Sequence, residues 1–218
     1  MAVALATVIV AALLVGCRPN VRGVILMIGD SNLVQAATAT TNTIETLDNG
    51  YVPVFAATAA ATIRYSDCTK SVHCTTFDFW KIRLGQLLKK VQPDGVVIEL
   101  GLRDSGAPGT DGGPGYTGYD AKLDYMMQLL PAGVPVWWTT LPCDIEPTIE
   151  QEGCRAIDRA LQAAPARWPN LTIIAWAGTA NAHPEYMNPA DDHLSPVGLE
   201  RWADAVLNAL SHHFPDPG

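Results

Sequence analysis

Positive charge is scarce in this 218-residue chain: 14 Lys and Arg stand against 22 Asp and Glu, giving a net charge of -8 and an isoelectric point near 4.9. Nucleic acid and anionic membrane surfaces both require clustered cations, so neither is expected as a main partner. No internal repeat, heptad array or long low-complexity tract occurs. The only long apolar run, from Ala2 to Gly16, is too short for a comfortable membrane span. No G-x-G-x-x-G follows a strand-like segment, and the Gly-rich and Pro-rich stretch from Gly106 to Gly118 has neither the lysine nor the spacing of a phosphate loop. Nucleotide binding thereby loses its best support. Cys68, His73 and Cys74 match no common zinc spacing and have no evident fourth ligand, so no metal is expected.

With 48% of its residues apolar, the chain can bury a large core and has the length of one α/β domain. The uncharged segment before Cys17 has the length of a signal-peptide hydrophobic region, and Leu14-Val15-Gly16-Cys17 resembles a bacterial lipoprotein processing box. No Lys or Arg precedes that run, so a retained anchor stays open beside cleavage or lipidation. Residues 1–17 are thus read as a signal or lipoprotein-type segment and 21–214 as the folded domain. Setting Cys17 aside leaves an even four cysteines. Pairing Cys68 with Cys74 and Cys143 with Cys154 closes two short loops, as expected in an oxidising compartment. The expectation is export to the periplasm, the cell envelope as a lipoprotein, or the medium, with membrane contact only through an N-terminal lipid or anchor.

Apolar runs alternate with helical periodicities along the rest of the chain. Strands are predicted at 24–28, 52–55, 96–100, 136–140 and 171–175, and helices after Ser31, over 77–91, 120–130 and 150–163, and after Pro196. All five strands read as buried runs, which predicts a parallel sheet covered on both faces and joined by right-handed crossovers. In such sheets ligands bind outside the carboxyl ends of the strands.

Three polar turns fall at those ends. Gly29-Asp30-Ser31-Asn32-Leu33 follows the first strand and Gly101-Leu102-Arg103-Asp104 the third, while His193-Leu194-Ser195-Pro196-Val197-Gly198 lies past the fifth. A serine needs a neighbouring base to become a nucleophile, and His193 is the histidine expected at the same sheet edge. The competing role for Asp30-Ser31 is a helix N-cap. His73, His183, His212 and His213 are read as surface or capping residues.

These blocks, in this order on an α/β frame, resemble those of the SGNH, or GDSL-type, hydrolase superfamily. The resemblance implies a three-layer α/β/α sandwich of flavodoxin-like type and a serine ester hydrolase without metal or organic cofactor. Ser31 would be the nucleophile and His193 the base, and the backbone N–H of Ser31 would be one oxyanion donor. The second-block glycine is replaced by Ala60, whose backbone N–H can still donate. Arg103 stands where the oxyanion asparagine is expected. Ala190 occupies the usual place of the acid, so Asp191 would serve through a shifted loop, with Asp192 the next candidate. A small-molecule ester substrate and a monomer are the expected partner state. The alternative is an SGNH-like domain with weakened catalysis that binds a cell-envelope or carbohydrate ligand, because fold alone does not fix activity.

Overall fold

A computed structural model describes residues 22–37, 50–59, 61–63, 79–106, 116–144, 151–190 and 193–214. The predicted signal segment, the Cys68–Cys74 pair, Ala60, Asp191 and Asp192 lie outside the described residues.

Five strands form one sheet: β1 (Gly23–Gly29), β2 (Tyr51–Ala57), β3 (Gly95–Glu99), β4 (Val136–Thr139) and β5 (Leu171–Ile174). Their order is β2-β1-β3-β4-β5, and every pair is parallel. The helices are α1 (described over residues 31–37), α2 (Phe79–Leu87), α3 (Leu102–Gly106), α4 (Tyr119–Leu129), α5 (Gln151–Ala163), α6 (Trp176–Ala182) and α7 (Pro196–His213). This is the three-layer sandwich predicted from the sequence.

The layers follow from the two-residue period of a strand, which sends alternate side chains to opposite faces. On β1, Leu26 and Ile28 join the core built with α2, α4 and α5 through Trp80, Leu84, Leu123 and Ile157. Ile25 and Met27 join the opposite core, built with α1, α6 and α7 through Leu33, Trp176, Trp202 and Val206. Both faces of the central strands are therefore covered, and β3 is buried throughout. The edge strands depart from the expectation of fully buried runs: Val52 and Phe55 on β2 are half-buried, and Thr172 on β5 is exposed. An edge strand has a neighbour on one side only, so the helical layers do not close over it.

Buried indoles stitch the layers by hydrogen bonds that satisfy their N–H groups. Trp80 donates to the Thr62 carbonyl at 2.9 Å and Trp138 to that of Leu100 at 3.0 Å. The sequence-predicted Cys143–Cys154 disulfide is present and ties the segment after β4 to α5. The helix α6 carries no strong sequence signal, being a short Ala- and Gly-containing stretch, and is held from outside. Trp176 stacks on Tyr186 at 6.1 Å, and Thr140 Oγ1 accepts the Ala177 N–H at 2.8 Å.

Candidate active site

The strand order reverses between β1 and β3, since the chain passes from β1 outward to β2 and then back across to β3. Diverging connections leave a crevice at the carboxyl ends of that strand pair. Ser31 follows β1 and Arg103 follows β3, so both stand at the crevice.

The turn after β1 is shaped by its neighbours. A Cβ on Gly29 would lie 2.5 Å from Leu33 Cβ and 3.0 Å from the Glu99 carbonyl, so only glycine lets the strand turn this tightly into α1. Asp30 is fully buried, and its Oδ1 accepts the Asn32 N–H at 2.9 Å. The capping role is thus taken by Asp30, leaving Ser31 half-buried at the first position of the helix.

Asn32, the next residue, makes the contact that assembles the site. Its Oδ1 accepts the Leu194 N–H at 3.0 Å in a buried bond spanning 162 residues. The residue after Ser31 is thereby fastened to the residue after His193. The histidine segment is further closed by the Asn188 N–H donating to the His193 carbonyl at 2.8 Å and by a bridge between Met187 and Leu194. Below it, Ser195 caps α7 by accepting the Gly198 N–H at 3.1 Å, while its hydroxyl donates to the Glu185 carbonyl at 2.6 Å. Gly198 lies so close to Tyr186 that a Cβ there would sit 1.9 Å from the Tyr186 carbonyl oxygen. His193 is half-buried, with Nδ1 shielded from solvent.

Arg103 is half-buried on α3. Its neighbour Asp104 is fully buried and braces the crevice: Oδ1 accepts from Lys122 Nζ at 2.8 Å, and Oδ2 accepts the Ile63 N–H at 3.0 Å. Burial pushes the Asp104 carboxyl up, while the Lys122 ammonium and the Ile63 N–H oppose that rise. The segment after β2, which leads into Ala60, is therefore pinned to α3 and α4. Asp158 on α5 holds the next turn by accepting the Leu141 N–H at 2.9 Å.

Glu99 at the end of β3 is a site residue that the motif reading passes over. Its buried carboxyl accepts the backbone N–H groups of Asp30 and Leu33 and is hydrogen-bonded to the Asp30 carboxyl. Burial first, then the Asp30 charge and that hydrogen bond, push Glu99 well above the usual carboxylate range. The available signal was a single acid inside the apolar run Val96–Leu100. Lys122 is the second omission, and it had no signal, because a lysine on an amphipathic helix reads as solvent-facing. Glu99, Asn32, Leu102, Leu141, Leu194 and Trp202 are among the residues lining a small pocket between the serine and histidine segments.

Among the other histidines, His183, His212 and His213 are exposed, and His183 pairs with Glu185 at 3.0 Å. Among the described residues, no three His, Cys, Asp or Glu side chains converge as a metal site would require.

Asp158 carries a pH prediction for stability. Burial raises its carboxyl to about 6 and nearby Asp144 adds to the rise, while the Leu141 N–H opposes it. A raised folded value means that its stabilising contribution is complete below the unfolded value of about 4 and is lost as pH rises through the folded value. Asp158→Asn keeps the acceptor for Leu141 without the charge. Thermal melts should show the variant gaining on the wild type above pH 6 and matching it near pH 4.

No protein-family model and no curated protein matches the chain. Solved structures match its fold. A lipase/acylhydrolase from Enterococcus faecalis is 18% identical with a TM-score of 0.65, covering 89% of this chain and 98% of that one. A carbohydrate acetylesterase family member from Sinorhizobium meliloti is 11% identical with a TM-score of 0.62, covering 88% and 98%. The catalytic domain of peptidoglycan O-acetyltransferase A from Streptococcus pneumoniae is 20% identical with a TM-score of 0.57, covering 88% and 95%. The chain has the fold of the SGNH, or GDSL-type, hydrolase superfamily.

Proposed function

We propose that the protein is an exported serine esterase that hydrolyses small acyl esters, acetylated carbohydrate among them. The observation that carries this reading is the Asn32–Leu194 hydrogen bond, which fastens the Ser31 turn to the His193 segment at the topological switch point. His193 takes the Ser31 hydroxyl proton as Oγ attacks the ester carbonyl, then returns it to the leaving alcohol. Water, activated by the same histidine, releases the acid and regenerates the serine. The backbone N–H groups of Ser31 and Ala60, together with Arg103, receive the oxyanion, and Asp191 orients the histidine. The Cys143–Cys154 disulfide supports an oxidising compartment. Reaction with a serine-directed fluorophosphonate tests the proposal: labelling that is lost in Ser31→Ala supports it. An unlabelled wild-type protein would favour the alternative of a binding domain with the same fold.

Arg103 carries its own prediction. Its competing role is to brace the turn through Asp30 or Asp104, the latter already held by Lys122 and the Ile63 N–H. Arginine differs from the expected asparagine in its permanent charge, greater length and five donors. Arg103→Asn should retain hydrolysis of a neutral acetyl ester. Arg103→Ala should lose about 10²-fold in kcat, the usual cost of one oxyanion donor. An alanine variant as fast as wild type would return Arg103 to a bracing role.

A further inference from the structure

We infer that Glu99 is a positioning residue for the proposed esterase site, whose neutral carboxyl, hydrogen-bonded to Asp30, clasps the turn that presents Ser31. The inference rests on the esterase reading and adds a control by protonation that the serine–histidine chemistry does not require.

The geometry is that of a clamp. Glu99 accepts the N–H groups of Asp30 and Leu33, which flank Ser31 and Asn32 on the first turn of α1. Its Oε2 is sealed from solvent and takes no hydrogen bond from an N–H or hydroxyl among the described residues, and the Asp30 carboxyl is its acidic neighbour. Asp30 Oδ1 already accepts from Asn32. Two carboxyls can hydrogen-bond only if they hold a proton between them, so the pair is built for one proton and one negative charge. Glu99 also lines the pocket shared by Asn32 and Leu194, the residues that join the serine and histidine segments. Removing the shared proton leaves two carboxylates facing each other in a buried place, and the repulsion is relieved only by displacing the Ser31 turn or admitting water.

Other titratable and charged groups stand on the elements that bound this site. They are Arg103 and Asp104 on α3, Tyr119 and Lys122 on α4, Asp158 on α5, and His193 before α7. Tyr119 is the group whose titration could imitate an alkaline loss of activity. Its phenol is buried and pushed up by burial and then by the charges of Asp104, Asp158, Asp30 and Glu99. Lys122 is occupied by Asp104, and the Asp158 titration falls on the acid side.

The test is the pH profile of kcat on one neutral acetyl ester from about pH 5 to 10 for the wild type, Glu99→Gln, Glu99→Ala and Tyr119→Phe. Glutamine reproduces the neutral acid, with one donor for Asp30 and one acceptor for the backbone. Glu99→Gln is therefore expected to remain far more active than Glu99→Ala at neutral pH and to lack the alkaline fall that the clamp predicts for the wild type. Glu99→Ala should lower kcat by about 10²-fold with KM little changed, the size of effect that a small misplacement of reacting groups produces. Tyr119→Phe should keep the alkaline fall. The inference is overturned if the wild type shows no alkaline fall, if Glu99→Gln retains that fall, or if Tyr119→Phe abolishes it. Should Glu99→Ala fail to fold, the glutamine profile decides alone. Fluorophosphonate labelling of Ser31 separates the two readings. A labelled, active protein with an unaltered Glu99→Gln profile refutes only the clamp, whereas an unlabelled, inactive wild type refutes the esterase reading and the clamp with it.

Discussion

Replacing Ser31 or His193 with alanine is expected to remove ester turnover by several orders of magnitude while leaving the fold intact. The two side chains act as one unit, since the serine is a weak nucleophile without its base and the base has no proton to take without the serine, so either loss should cost nearly as much as both. Neither side chain belongs to the two hydrophobic cores. Ser31 is half-buried at the head of α1, where Asp30 and not the serine supplies the cap, and His193 is joined to its surroundings through backbone groups of its own segment. Thermal melts of both variants should therefore stay close to wild type while kcat on a nitrophenyl ester collapses. A His193 variant with wild-type turnover would show that the base lies elsewhere. Asn32→Ala provides a useful contrast. It keeps both reacting groups but removes the acceptor for Leu194, so its activity should fall through displacement of the histidine segment.

Lys122→Met should be the most destabilising single substitution among these residues. Asp104 is wholly enclosed and Lys122 is its cation at 2.8 Å, so the variant leaves a buried carboxylate with, among the described residues, the Ile63 N–H to offset its desolvation. Breaking one side of such a pair typically costs about 3–5 kcal/mol, which for a domain of this size lowers Tm by about 10 °C. The sign of the pH effect follows from Asp104, whose carboxyl burial already raises. Without Lys122 it rises further, so the deficit is largest at neutral pH and shrinks as acid protonates the carboxyl. Adding Asp104→Leu to the lysine variant should recover part of the loss by removing the stranded charge. Melts at pH 7 and about pH 4.5 measure both effects, and a single variant as stable as wild type at neutral pH would exclude a structural role for the pair. Because Asp104 also holds Ile63, the same variant should lose activity through the segment that leads into Ala60.

The strands, most of the helices and their alternation were legible in the sequence because apolar runs and helical periodicity are local records of burial. Val24–Ile28 and Val96–Leu100 could only be interior strands, and the positions of Trp202, Val206 and Leu210 could only face a core. The Cys143–Cys154 bridge was legible for a similar reason, since it closes a short loop. The motif residues Ser31, Arg103 and His193 could be placed at strand or helix ends from the same pattern. Asp191 and Ala60 remain assignments from the sequence alone.

What only the tertiary structure decided are the contacts between segments distant in the chain. Nothing near Asn32 announces that its side chain accepts the N–H of Leu194, and nothing near Lys122 distinguishes it from a solvent-facing lysine. The meeting of Glu99 with Asp30 depends on β1 and β3 lying side by side in register, Gly29 beside Glu99, across a chain separation that no local pattern encodes. A charge on an apolar strand shows that something must compensate it, because an uncompensated buried carboxylate costs several kcal/mol. The identity of the compensating group is set by strand pairing and helix docking, which bring remote residues within hydrogen-bond reach once the cores have closed.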